Sequence, residues 1–134
     1  CGHNHTAAVM EPSGRLLAWG LGVFGQLGLG KATKESCLPA PVRLPGRVVE
    51  VACGDHHTLA LTASGELFAF GHRDAVGGVS HHERLPEPVA ELSQVERLFA
   101  GGTGCFALSQ GPLSGGGPAL QAWGYNQNGL LGRS

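Results

Sequence analysis

Apolar residues come in short paired runs along this chain, each pair bent around a small polar or glycine turn. Thr58-Leu59-Ala60-Leu61-Thr62 and Glu66-Leu67-Phe68-Ala69-Phe70 flank Ala63-Ser64-Gly65, which reads as strand, tight turn, strand. Thr6 to Val9 and Leu16 to Trp19 flank Pro12-Ser13-Gly14 in the same way. The runs are apolar at neighbouring positions instead of alternating. That is the pattern of sheets covered on both faces. No run reaches the roughly 18 apolar residues of a membrane helix.

The pairs belong to a repeat. Cys1-Gly2-His3-Asn4-His5-Thr6 returns as Cys53-Gly54-Asp55-His56-His57-Thr58, with Ala100-Gly101-Gly102-Thr103-Gly104-Cys105 as a worn third copy. Each copy leads through two apolar runs to an aromatic-glycine pair, Trp19-Gly20, Phe70-Gly71 and Trp123-Gly124. A glycine-rich segment follows: Gly25-Gln26-Leu27-Gly28, then a degraded Gly77-Gly78-Val79, then Gly129-Leu130-Leu131-Gly132. Leu38-Pro39-Ala40-Pro41-Val42 recurs as Leu85-Pro86-Glu87-Pro88-Val89, and Val48 to Ala52 is echoed by Val95 to Phe99. The units run approximately 1–52, 53–99 and 100–134, the last incomplete. Residues 110–118, rich in glycine and proline, read as a flexible surface loop.

Composition sharpens this picture. The chain has 134 residues with 23 glycines and only 14% charged residues, and 42% hydrophobic residues supply a core. Glycine does not fall at every third position, which excludes collagen. Nine basic residues spread along a chain of net charge −1 make no broad cationic face for nucleic acid. Cys1, Cys37, Cys53 and Cys105 form no Cys-x-x-Cys pair, and they read as reduced thiols of an intracellular protein, cytoplasmic or nuclear. The chain opens on Cys1 and its single methionine is Met10, so it reads as part of a longer protein.

Other chemistry is weighed and set aside. Gly20-Leu21-Gly22-Val23-Phe24-Gly25 matches a dinucleotide fingerprint, but prolines follow where a helix is needed. The segment from Gly25 to Lys31 approaches a phosphate loop, yet the magnesium-binding hydroxyl position is Ala32. The glycine frame recurs at Gly124 to Gly129 without lysine, so a structural turn accounts for both copies. His3 and His5, His56-His57 and His81-His82 invite a metal, but no third ligand recurs with them. The shared repeat position of His5 and His57 predicts imidazoles bonded to backbone. Cys105 with Asp74 and histidines has no nucleophile spacing, and it occupies the threonine slot of the repeat, which predicts packing. Trp19, Phe70 and Trp123 are read as core. No catalytic residue, metal site, cofactor or small-molecule substrate is expected.

The order Cys-Gly-x-x-His-Thr, Ala-Leu-Thr-x-x-Gly, aromatic-Gly, Gly-Gln-Leu-Gly, Pro-x-x-Val resembles the repeat of the regulator of chromosome condensation family. It covers nearly the whole chain as about two and a half repeats. The resemblance implies an all-β fold of four-stranded antiparallel blades, here a fragment of a seven-bladed β-propeller. Closure needs at least four blades, so this length alone is expected to be unstable or aggregation-prone. The resemblance also implies partner contacts in the turns between the repeat glycine and His-Thr, which are His3, Asn4, Asp55, His56, Gly102 and Thr103. Arg73 and Asp74, after a closing glycine, are expected to join that face. The implied function is protein–protein interaction in a larger chain, with guanine nucleotide exchange on a small Ran-like GTPase as the alternative. Membership of a HECT ubiquitin ligase is a further reading. A light-sensing branch of the family carries tryptophan in this turn, where this chain has histidine, asparagine and aspartate.

Overall fold

The computed structural model describes residues 1–72, 83–90, 92–110, 117–126, 129 and 131–132. They form three antiparallel sheets in chain order. β1 (His5–Met10), β2 (Arg15–Leu21) and β3 (Glu35–Val42) make the first. β4 (Val48–Cys53), β5 (His57–Thr62), β6 (Leu67–Gly71) and β7 (Glu83–Pro88) make the second. β8 (Val95–Gly101), β9 (Gly104–Gln110) and β10 (Pro118–Gly124) make the third. The paired apolar runs are the hairpins β1–β2, β5–β6 and β9–β10. The Leu-Pro-x-Pro segments are the outer strands β3 and β7. Proline there lacks a ladder donor, which an edge strand tolerates.

Register repeats as faithfully as sequence. Thr6 pairs with Trp19, Thr58 with Phe70 and Cys105 with Trp123. One residue earlier, His5 faces Gly20, His57 faces Gly71 and Gly104 faces Gly124. The pairing of β2 with β3 and of β6 with β7 slips at the same place, around Trp19 and Phe70. The two described copies thus re-aim the chain identically beside the closing aromatic.

The middle sheet is sandwiched, and every residue of β5 and β6 is buried. Ala60 and Phe70 pack with Leu16, Ala18, Leu27, Val42 and Val48 toward the first sheet. Leu59, Leu61, Leu67 and Ala69 pack with Leu98, Cys105 and Ala107 toward the third. Burying each such leucine or phenylalanine contributes about 1.5–3 kcal/mol, and the neighbouring sheet is what makes it possible. On the far faces of the outer two sheets, Met10, Phe99 and Leu120 stay exposed. Phe70 is fully buried, whereas Trp19 and Trp123 are half-buried.

The glycine-rich segment after β2 is a structural turn. Its amides are consumed internally, Gly25 donating to the Gly22 carbonyl and Gly28 to that of Gly25, both at 2.9 Å. Gly28, at φ +66°, lies against the Phe70 ring and Val42, where a side chain would collide. Leu27 and Gln26 are driven into the gap between the first two sheets. Among the described residues no helix is long and apolar enough to cross a membrane.

Candidate functional site

The turns preceding β1, β5 and β9 lie along one edge of the sheets and are joined by backbone. The His3 amide donates to the Asp55 carbonyl at 3.2 Å, and the Asp55 amide to the Gly102 carbonyl at 2.8 Å. Within each of the first two turns the glycine closes back on its own histidine, Gly2 N–H to the His5 carbonyl at 2.8 Å and Gly54 N–H to the His57 carbonyl at 3.0 Å. The glycines are required because the imidazoles of His5 and His57 lie directly over them. The chain leaving each blade returns to the same place. Leu21 and His72 donate to the carbonyls of Asn4 and His56 at 2.8 Å, and Tyr125 to that of Thr103 at 3.3 Å.

Beneath this edge lies a buried relay between blades. Thr58 Oγ1 donates to the Gln26 carbonyl and also meets His5 Nε2, each at 2.8 Å. The hydroxyl has one proton, so His5 Nε2 is the donor toward it and Nδ1 carries none. A hydroxyl of the next repeat thus joins the backbone that the sequence predicts as partner, since the His5 ring also lies near the His57 backbone and the His57 ring near that of Gly104. Burial holds His5 and His57 down at about 4, with mutual repulsion adding to the effect at His57. Both are neutral at physiological pH, and their role is architectural.

The structure places six of the residues singled out by the sequence in these turns. His3, Asn4 and Gly102 are exposed, and Asp55, His56 and Thr103 are half-buried. The rings of His3 and His56 meet edge-on with centroids 5.8 Å apart. Two residues that the sequence reading missed complete the group. Phe24, from the loop after β2, lies 4.9 Å from the His56 ring and 5.1 Å from that of His72. His72 had a signal, since it directly follows a closing glycine. Phe24 had none, because it reaches across from the neighbouring blade. Arg73 and Asp74, like His81 and His82, lie outside the described residues, as do residues 111–116 of the predicted surface loop.

The chemistry available is recognition. Three imidazoles, an aromatic ring, an amide and a carboxylate stand on a fixed backbone. Among the described residues no three His, Cys, Asp or Glu side chains are grouped to hold a metal ion. Cys105 is fully buried and burial pushes its thiol up, the opposite of an activated nucleophile.

Residues 13–61 match the Regulator of chromosome condensation (RCC1) repeat. The whole chain aligns at 32% identity with the probable E3 ubiquitin-protein ligase HERC6 of Homo sapiens, covering 13% of that protein. Across 79% of the chain it is 36% identical to the Regulator of chromosome condensation of Homo sapiens, covering 26% of it. The crystal structure of Prp20p from Saccharomyces cerevisiae, described with its binding to Gsp1p and histones, superposes with a TM-score of 0.80 at 25% identity, over 98% of this chain and 34% of that one. The chain thus spans about a third or less of each of these proteins. With its repeated turn, its repeated register and these similarities, the chain belongs to the regulator of chromosome condensation repeat family and is a partial β-propeller of that type.

Proposed function

We propose that the edge formed by the three turns is a protein-binding surface, so that this part of the propeller recruits a partner in a larger chain. The observation that carries the reading is the backbone ladder from His3 through Asp55 to Gly102. It mounts exposed polar groups at set positions with little conformational entropy left to lose on binding. The imidazoles and Asp55 supply charge and hydrogen-bond specificity at such a rim. Gly102 and Thr103 extend the surface on the third blade. Arg73 and Asp74 directly follow His72, whose amide is held at this edge, and they are included on that ground. The similarity to Prp20p, described as binding Gsp1p and histones, favours protein partners. The free thiols of Cys1, Cys37 and Cys53 fit a reducing compartment, cytoplasm or nucleus.

The test compares proteins cross-linked to the full chain carrying these blades with those cross-linked to its D55K and H56A variants, after matching their melting temperatures. Loss of a discrete partner supports the surface, and an unchanged set refutes it. A second reading, nucleotide exchange on a small GTPase, is favoured by the 36% identity to the human regulator. It predicts faster release of labelled guanine nucleotide from such a GTPase, and no acceleration from any of them would reject it. In a chain that also carries a HECT ubiquitin-ligase domain, the reading that the similarity to HERC6 favours, the same surface would recruit the substrate.

A further inference from the structure

At the opposite ends of the strands, the turn between β1 and β2 and the segment joining β3 to β4 enclose an open groove of about 650 Å³. Arg15, Arg43 and Arg47 line it, over a floor of Leu16, Val42 and Val48. Three of the chain's nine basic side chains are thereby gathered in one place, on a chain of net charge −1.

The fold does not ask for them. The Val48 amide donates to the Gly14 carbonyl at 2.9 Å, and the next repeat reproduces this as Val95 to Gly65 at 3.3 Å. In that second copy the positions of Arg15, Arg43 and Arg47 hold Glu66, Ala90 and Gln94. Backbone and floor are scaffold, whereas the cations are particular to this groove. Arg47 is held in place: its stem crosses Gly14, its carbonyl accepts the Ala63 amide at 2.8 Å, and its guanidinium reaches Glu11 at 3.1 Å. Arg15 and Arg43 are exposed and have no carboxylate partner among the described residues.

We propose that this groove docks an acidic peptide segment of a partner protein, with an aliphatic side chain between its carboxylates. Guanidinium forks match carboxylates two bonds at a time, and the apolar floor receives the aliphatic group. Three cations are too few for a nucleic-acid track, whose affinity comes from many phosphate contacts. The site is separate from the turn edge and stands without it.

The experiment measures fluorescence anisotropy of a labelled peptide of repeated Glu-Leu-Asp units with the full chain carrying these blades. The acidic peptide binds, and its Gln-Leu-Asn counterpart does not. R15A and R43A, which alter exposed side chains and keep the circular-dichroism melt, each weaken binding by roughly 3- to 10-fold. K31A and K34A, exposed cations outside the groove, leave affinity unchanged. The proposal is overturned by absent binding, by equal binding of the amide peptide, by equal loss in the lysine variants, or by tighter binding of labelled duplex DNA.

Discussion

Replacing Thr58 by valine removes one hydroxyl and almost no volume, so it isolates the relay between the first two blades. Thr58 Oγ1 bridges His5 Nε2 and the Gln26 carbonyl at 2.8 Å each, and all three residues are buried. Valine leaves a buried donor and a buried acceptor without a partner. Each costs about 1–3 kcal/mol, so the loss is about 2–6 kcal/mol. Serine at the same position keeps the hydroxyl and forfeits only a methyl group, which costs about 1 kcal/mol. Urea unfolding of the full chain should show a much lower midpoint for T58V than for T58S at an unchanged slope. The imidazole nitrogen shifts of His5 should report a proton on Nε2 in the wild type, and that tautomer preference should fade in T58V. If T58V is no less stable than T58S, the hydroxyl holds nothing together and the reasoning fails.

Three further outcomes follow from the same geometry. The third blade has Cys105 in the slot of Thr58, beside the Gly104 backbone that the His57 ring faces, so C105T should gain about 1 kcal/mol; a lower melting temperature would refute this. His57 sits at about 4 in the folded state against about 6.5 unfolded, so its neutral form stabilises fully above pH 6.5 and that contribution is lost as pH falls toward 4. At pH 5 the loss is about 2 kcal/mol, and the stability gap between wild type and H57Q should narrow by that amount between pH 7 and 5; a constant gap would contradict the burial argument. G71A places a Cβ against the His56 carbonyl at φ +125° and should cost about 3 kcal/mol or more, whereas G101A, with nothing near its Cβ, should change the unfolding free energy from chemical denaturation by less than about 0.5 kcal/mol.

Much of the fold was legible because each blade restates the same instructions. The Cys-Gly-x-x-His-Thr turn, the closing aromatic-glycine pair and the Leu-Pro-x-Pro strand recur in order. Apolarity at neighbouring positions in Leu59-Ala60-Leu61 and Leu67-Phe68-Ala69-Phe70 indicates a sheet buried on both faces, as β5 and β6 are. The candidate site was legible only where it lies within one repeat, as at His3, Asn4, Asp55 and His56. Contacts between blades leave no periodic trace. Phe24 meets His56 across a boundary, and His5 gives its hydrogen bond to a residue 53 positions away. Among the described residues, closing aromatics share a register position but not a burial, since Phe70 lies in the middle sheet and Trp19 in an outer one. The arginine groove escaped notice for the opposite reason. Repetition draws attention to what recurs, and these side chains do not.

The amide-to-carbonyl chain through His3, Asp55 and Gly102 uses only main-chain atoms, so it does not depend on which side chains it carries. The pitch between neighbouring turns is set by peptide geometry, while two residues per blade remain free to vary. Such an edge behaves like a type-case with fixed spacing and interchangeable letters. On the proposed function, a new partner would be acquired by exchanging letters without renegotiating the frame, and a variant surface would inherit the stability of its predecessor.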